Sequence, residues 1–145
     1  MRLLFLFACL LILANCKNNK HTFTKTKNCV ELIVKKDDSL GSIRNHDSKK
    51  ISLSSTIDKY ISSVEKLHFS DCSKDFNKAF QNHLSAWKDM KAVTDNHTLL
   101  RGEMHSLFDS IKQTNDSLVF TKKLTAIFDT WKTVEIAIEP FQLKD

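Results

Sequence analysis

From Ser52 onward the apolar residues recur at steps of three and four. Ile57, Tyr60, Ile61, Val64 and Leu67 form one stripe behind the hydroxyl-rich start Ser54-Ser55-Thr56, a spacing that predicts an amphipathic helix with candidate caps at its head. Residues 69–73 read as a connector, with Ser73 placed to cap a second helix that carries Phe76, Phe80, Leu84, Trp87 and Met90 and ends near residues 94–97. A third helix is expected from about Thr98, with Leu100, Met104, Leu107, Phe108 and Ile111 on one face; Gly102 weakens its start. After a polar break at residues 114–117, Phe120, Leu124, Ile127, Trp131, Val134 and Ile138 alternate in fours and threes, the seam of an antiparallel bundle. Pro140 stops that helix. The expected fold class is therefore all-α, a four-helix antiparallel up-down bundle over residues 51–140.

The N-terminus has a different pattern. Met1-Arg2 and the apolar run from Leu3 to Leu13 have the length and flanking charge of a signal peptide and are short for a membrane span. The run ends in Leu13-Ala14-Asn15-Cys16, which resembles the lipobox of bacterial lipoproteins, although Asn15 stands where a small residue is usual. The resemblance implies that residues 1–15 are removed and that diacylglycerol is attached to the Cys16 thiol. The domain then sits in the cell envelope outside the cytoplasm, held to a membrane by lipid. An ordinary secretory leader cut after Ala14 and an uncleaved anchor are the alternatives, and both also export the domain.

Between residues 16 and 50 the chain is rich in Lys, Asn, Thr, Asp and Ser, a composition expected to give a basic and mostly flexible tether. One apolar island, Val30-Glu-Leu-Ile-Val34, interrupts it. Five residues leave a short strand and a clip onto the domain equally open. If Cys9 leaves with the leader and Cys16 carries lipid, Cys29 and Cys72 remain. An oxidising compartment invites them to pair, with two unpaired thiols as the alternative.

Composition narrows the function. Gly 2 and Pro 1 supply few turns for a β architecture. The net charge of +5 lies before residue 51, and the remainder carries 12 Lys and Arg against 13 Asp and Glu. A nearly neutral domain gives nucleic acid little electrostatic footing. The stretches DCSKDFNKAFQNHLSAWKDM, LLRGEMHSLFDSI and IFDTWKTVE, within residues 71–135, are similar to a small helical domain of exported bacterial lipoproteins. That likeness implies a helical fold and carries no catalytic residue across.

His83 is the polar residue placed oddly, since it lies on the Phe76–Phe80–Trp87–Met90 stripe. It reads either as a hydrogen-bonded core-edge histidine or as a ligand to metal or haem. His105 is the next metal candidate; Glu103, two residues before it, points to another side of a helix and chelates poorly with it. Glu65-Lys-Leu-His68 is a lone Glu-x-x-His pair without the mate a di-iron site needs. Nothing in the chain demands a catalytic residue or a cofactor. The expectation is a non-enzymatic envelope lipoprotein that binds another envelope protein or presents a structured surface. The alternative is a metal- or haem-binding bundle centred on His83.

Overall fold

The computed structural model describes residues 2–142, with side chains from residue 21 onward. They fold into five helices: α1 (Arg2–Asp47), α2 (Leu53–Val64), α3 (Lys74–Thr94), α4 (Met104–Lys112) and α5 (Ser117–Ile138). Short 3-10 turns follow α3, at Asp95–His97, and α5, at Glu139–Phe141.

The caps explain where several helices begin. Ser52 accepts from the Ser55 amide and Ser73 from the Phe76 amide, each at 3.2 Å, satisfying donors that have no partner inside the helix. The stretch expected to open a third helix at Thr98 instead stays irregular until Met104. Gly102 adopts φ +155°, outside any helix. Its amide donates to the Ser48 carbonyl at 3.1 Å and its own carbonyl lies 2.9 Å from Ser48 Oγ. That clamp ties the segment to the end of α1, and Glu103 then caps α4 by accepting from the His105 and Ser106 amides.

The larger correction concerns residues 16–50. The expected flexible tether is helical through Asp47, and α1 enters the core with Val30 and Ile33 each 1% exposed. Cys29, Val30, Ile33, Val34, Asp37, Leu40 and Arg44 follow helical spacing, so the island at residues 30–34 is one part of a longer buried stripe. The polar intervening residues face outward, as an amphipathic helix requires. The disulfide Cys29–Cys72, with a Cα–Cα distance of 5.1 Å, fastens α1 to the connector between α2 and α3.

Side-chain contacts fix the helix directions. Asp58 pairs with Lys91 and Glu65 with Lys88, both at 2.6 Å, so α2 and α3 run antiparallel. Asp89 meets Lys123 at 3.1 Å and His83 meets Thr130 at 3.1 Å, so α3 and α5 also run antiparallel. Phe76, Phe80 and Phe120 are completely buried where these helices meet. Each contributes roughly 1.5–3 kcal/mol relative to exposure.

Candidate functional site

α1 and α5 face each other across an open groove. One part, of about 590 Å³, sets Val30 and Val34 of α1 opposite Trp131 and Ile138 of α5 and Phe141 beyond it, with Glu31, Lys35, Asp37, Asp38 and Gln142 along its edges. Phe23 stacks on Phe141 with ring centroids 5.8 Å apart at this end. The groove continues past Asp37, Asp38 and Trp131 into a more polar part of about 430 Å³, which reaches Arg44, Tyr60, His83, Trp87 and Phe128.

Arg44 lines the polar part. Its guanidinium lies 3.8 Å from the Trp87 ring centroid and 4.6 Å from that of Tyr60, where the negative ring faces attract a cation. Its hydrogen-bond acceptor is the neighbouring Asn45 Oδ1, at a long 3.4 Å from both Nε and Nη2. Among the described ion pairs none includes Arg44. Burial pulls its pKa below the usual arginine value, against the opposing pull of Tyr60 and Asp37 beside it. Asp37, seven residues earlier on the same stripe, accepts a hydrogen bond from the Tyr60 hydroxyl. Burial raises the Asp37 pKa against the opposing pull of Tyr60 and Arg44. Burial and the adjacent Asp37 carboxylate raise that of Tyr60 as well.

His83 sits at the back of this part, 4% exposed. Trp87 Nε1, which can only donate, is 3.1 Å from His83 Nε2, so Nε2 must accept and the proton belongs on Nδ1. Nδ1–H then donates to Thr130 Oγ1 at 3.1 Å, and the Thr130 hydroxyl donates to the Ala126 carbonyl at 2.7 Å. The chain of donors ends on the backbone of α5. Burial, aided by the positive charge of Arg44, lowers the His83 pKa to about 4. A metal ion at either ring nitrogen would have to break one of these bonds and strand its partner.

His105 is exposed at the start of α4, edge-on to Phe108 at 6.4 Å. The structure does not gather His83 and His105 into a metal centre: among the described residues no group of three or more His, Cys, Asp and Glu is placed to hold an ion. His97 lies 3.0 Å from Asp116, and His68 is exposed. The Cys16 side chain lies outside the described residues. No helix among the described residues is long and apolar enough to cross a membrane.

Asp37, Arg44 and Tyr60 were not legible as site residues. The signal that marks the first two is the helical register of Val30, Ile33 and Val34, which, continued, places both charged residues on the buried stripe. No protein-family model, curated protein or solved structure matches the chain.

Proposed function

We propose that the chain is a non-enzymatic lipoprotein of the bacterial envelope, anchored through lipid on Cys16, and that its helical domain is a binding module whose recognition surface is the α1–α5 groove. The observation that carries this reading is the groove itself. It is an open, mainly apolar cleft whose polar part collects Asp37, Arg44, Tyr60 and His83, four groups whose proton affinities are shifted by burial. Such convergence of apolar lining and a few desolvated polar groups is the physical signature of a binding site. The lipobox resemblance at Leu13-Ala14-Asn15-Cys16 supports the anchor. The bonded ring nitrogens of His83 favour the binding reading over a metal or haem centre.

Hydrogen exchange of the protein in its native envelope, compared with the purified protein, tests the proposal. Slower exchange or altered side-chain footprinting at residues 30–45 and 127–138 in the envelope is expected of an occupied groove. Identical protection in both states overturns the reading.

A further inference from the structure

The positive charge of the chain is concentrated beside Cys16. Residues 1–30 contain no Asp or Glu, and the stretch that follows Cys16 carries Lys17, Lys20, Lys25 and Lys27. The first carboxylate is Glu31, where α1 has already entered the core. None of residues 21–28 is buried, so this part of α1 is a stem outside the hydrophobic interior. The domain from residue 51 onward adds no such bias, with 12 Lys and Arg against 13 Asp and Glu.

The helical period arranges the stem. Positions 17, 20 and 27 share one side of α1, and position 23 adjoins them. Phe23 is 52% exposed even though it stacks on Phe141. An exposed ring flanked by lysines suits the boundary between headgroups and acyl chains. Lys25 lies on another side, 2.8 Å from Asp71, and Lys27 is 3.6 Å from Glu31. Ion pairs open to water are screened and worth little, so a dense anionic surface can compete for both lysines.

Distance decides which lysines matter most. At 1.5 Å per residue, position 20 lies about 6 Å from Cys16 along the axis and position 27 about 16 Å, against a Debye length of about 8 Å at physiological salt. Lys17 and Lys20 therefore feel a surface that holds Cys16 at any tilt of the helix. Lys27 does so only when the stem leans onto that surface.

We propose that residues 17–27 form a binding element for the anionic phospholipid headgroups of the membrane that holds the anchor, with Lys17, Lys20 and Lys27 supplying the attraction and Phe23 the apolar contact. The assignment rests on the reading of Cys16 as the anchor. It adds the charge of the lipid that the protein selects. Each lysine near such a surface favours binding about fivefold.

The test is lysine acylation, read residue by residue by mass spectrometry. The protein is isolated from its native source and reconstituted into vesicles of phosphatidylcholine alone or with phosphatidylglycerol added. Lys17, Lys20 and Lys27 should react about fivefold or more slowly in the anionic vesicles. They should recover in about 1 M salt, where the Debye length is about 3 Å. Lys49 and Lys50, just beyond the other end of α1, should react equally in both. Lys17→Glu combined with Lys20→Glu should return Lys27 to its rate in neutral vesicles, because the stem no longer leans; unchanged Lys49 and Lys50 rates would establish that the variant folds. A Lys27 that stays slow in that variant overturns the proposal, since mere nearness to an acidic surface then explains it. Equal rates in the two kinds of vesicle, with the protein bound to both, overturn the stem proposal and leave the anchor. The same slowing by inorganic phosphate in neutral vesicles assigns the lysines to free anions and overturns the membrane assignment. Protein absent from both kinds of vesicle overturns the anchor reading and the stem proposal together.

Discussion

Acidification should destabilise this protein through His83, and the effect can be separated from the titration of every other group. The folded pKa of His83 is about 4, against an ordinary value of 6.5. A histidine with a depressed folded pKa contributes its full stabilisation above the unfolded pKa, and the contribution falls as pH drops through 6.5 toward 4. Below the folded value both states are protonated and the loss levels off. At about 1.4 kcal/mol per pKa unit, the total loss is on the order of 3 kcal/mol, a substantial part of a small domain's stability. The local cause is specific: a proton added at Nε2 removes the acceptor that Trp87 Nε1–H uses and places a charge near Arg44. The informative variant is His83→Gln, whose amide has one acceptor and one donor end to replace both contacts without titrating in this range. Urea unfolding of the wild type and His83→Gln between pH 7.5 and pH 4, followed by circular dichroism, gives a difference curve in which common titrations cancel. That curve should show the wild type losing about 3 kcal/mol relative to the variant on acidification. A difference curve flat to within about 0.5 kcal/mol, well below the expected linkage, would refute the burial argument. His83→Leu should already be weaker at neutral pH by about 1–3 kcal/mol, because the buried Trp87 N–H is then left without an acceptor.

Three further outcomes are expected. Reducing the Cys29–Cys72 bridge, which spans 43 residues of sequence, should cost about 4 kcal/mol by the chain-entropy relation; calorimetry with and without reductant checks this, and an unchanged melting temperature would count against it. Gly102→Ala should destabilise by about 1–2 kcal/mol, because its φ of +155° is unfavourable for a side chain while the nearest neighbour, Leu107 Cδ2 at 3.6 Å, leaves room for one; equal denaturation midpoints would contradict this. Cys16→Ala should abolish incorporation of labelled fatty acid and release the protein from membranes, whereas undiminished incorporation would remove Cys16 as the anchor.

The stripes of α2, α3 and α5 were readable because their seams are apolar and local in sequence. Ile57 with Val64, Phe76 with Phe80, and Ile127 with Val134 declare their faces through spacing alone. α1 hid itself because its stripe carries Asp37 and Arg44 at core-facing positions, where charge argues for solvent. Their compensation comes from the Tyr60 hydroxyl and the Trp87 ring, which lie far along the chain and are brought near only by folding. α4 started later than its apolar periodicity implied because the Ser48–Gly102 clamp overrides the local pattern. His83 stood out in sequence as an imidazole on an apolar stripe, yet Thr130, its second partner, lies 47 residues away and leaves no mark in spacing.

The unbroken run of α1 through position 16 would also limit how far a domain tethered at Cys16 could wander. A flexible segment of residues 16–50 would let it roam a root-mean-square distance of about 30 Å from its attachment. Continued as helix, the seven positions from Cys16 to Phe23 span only about 10 Å. A lipid on Cys16 would hold the Phe23–Phe141 end against the bilayer as a short mast holds its fitting. The end of the groove at Val30 and Phe141 would then lie nearer the bilayer than the end at Arg44.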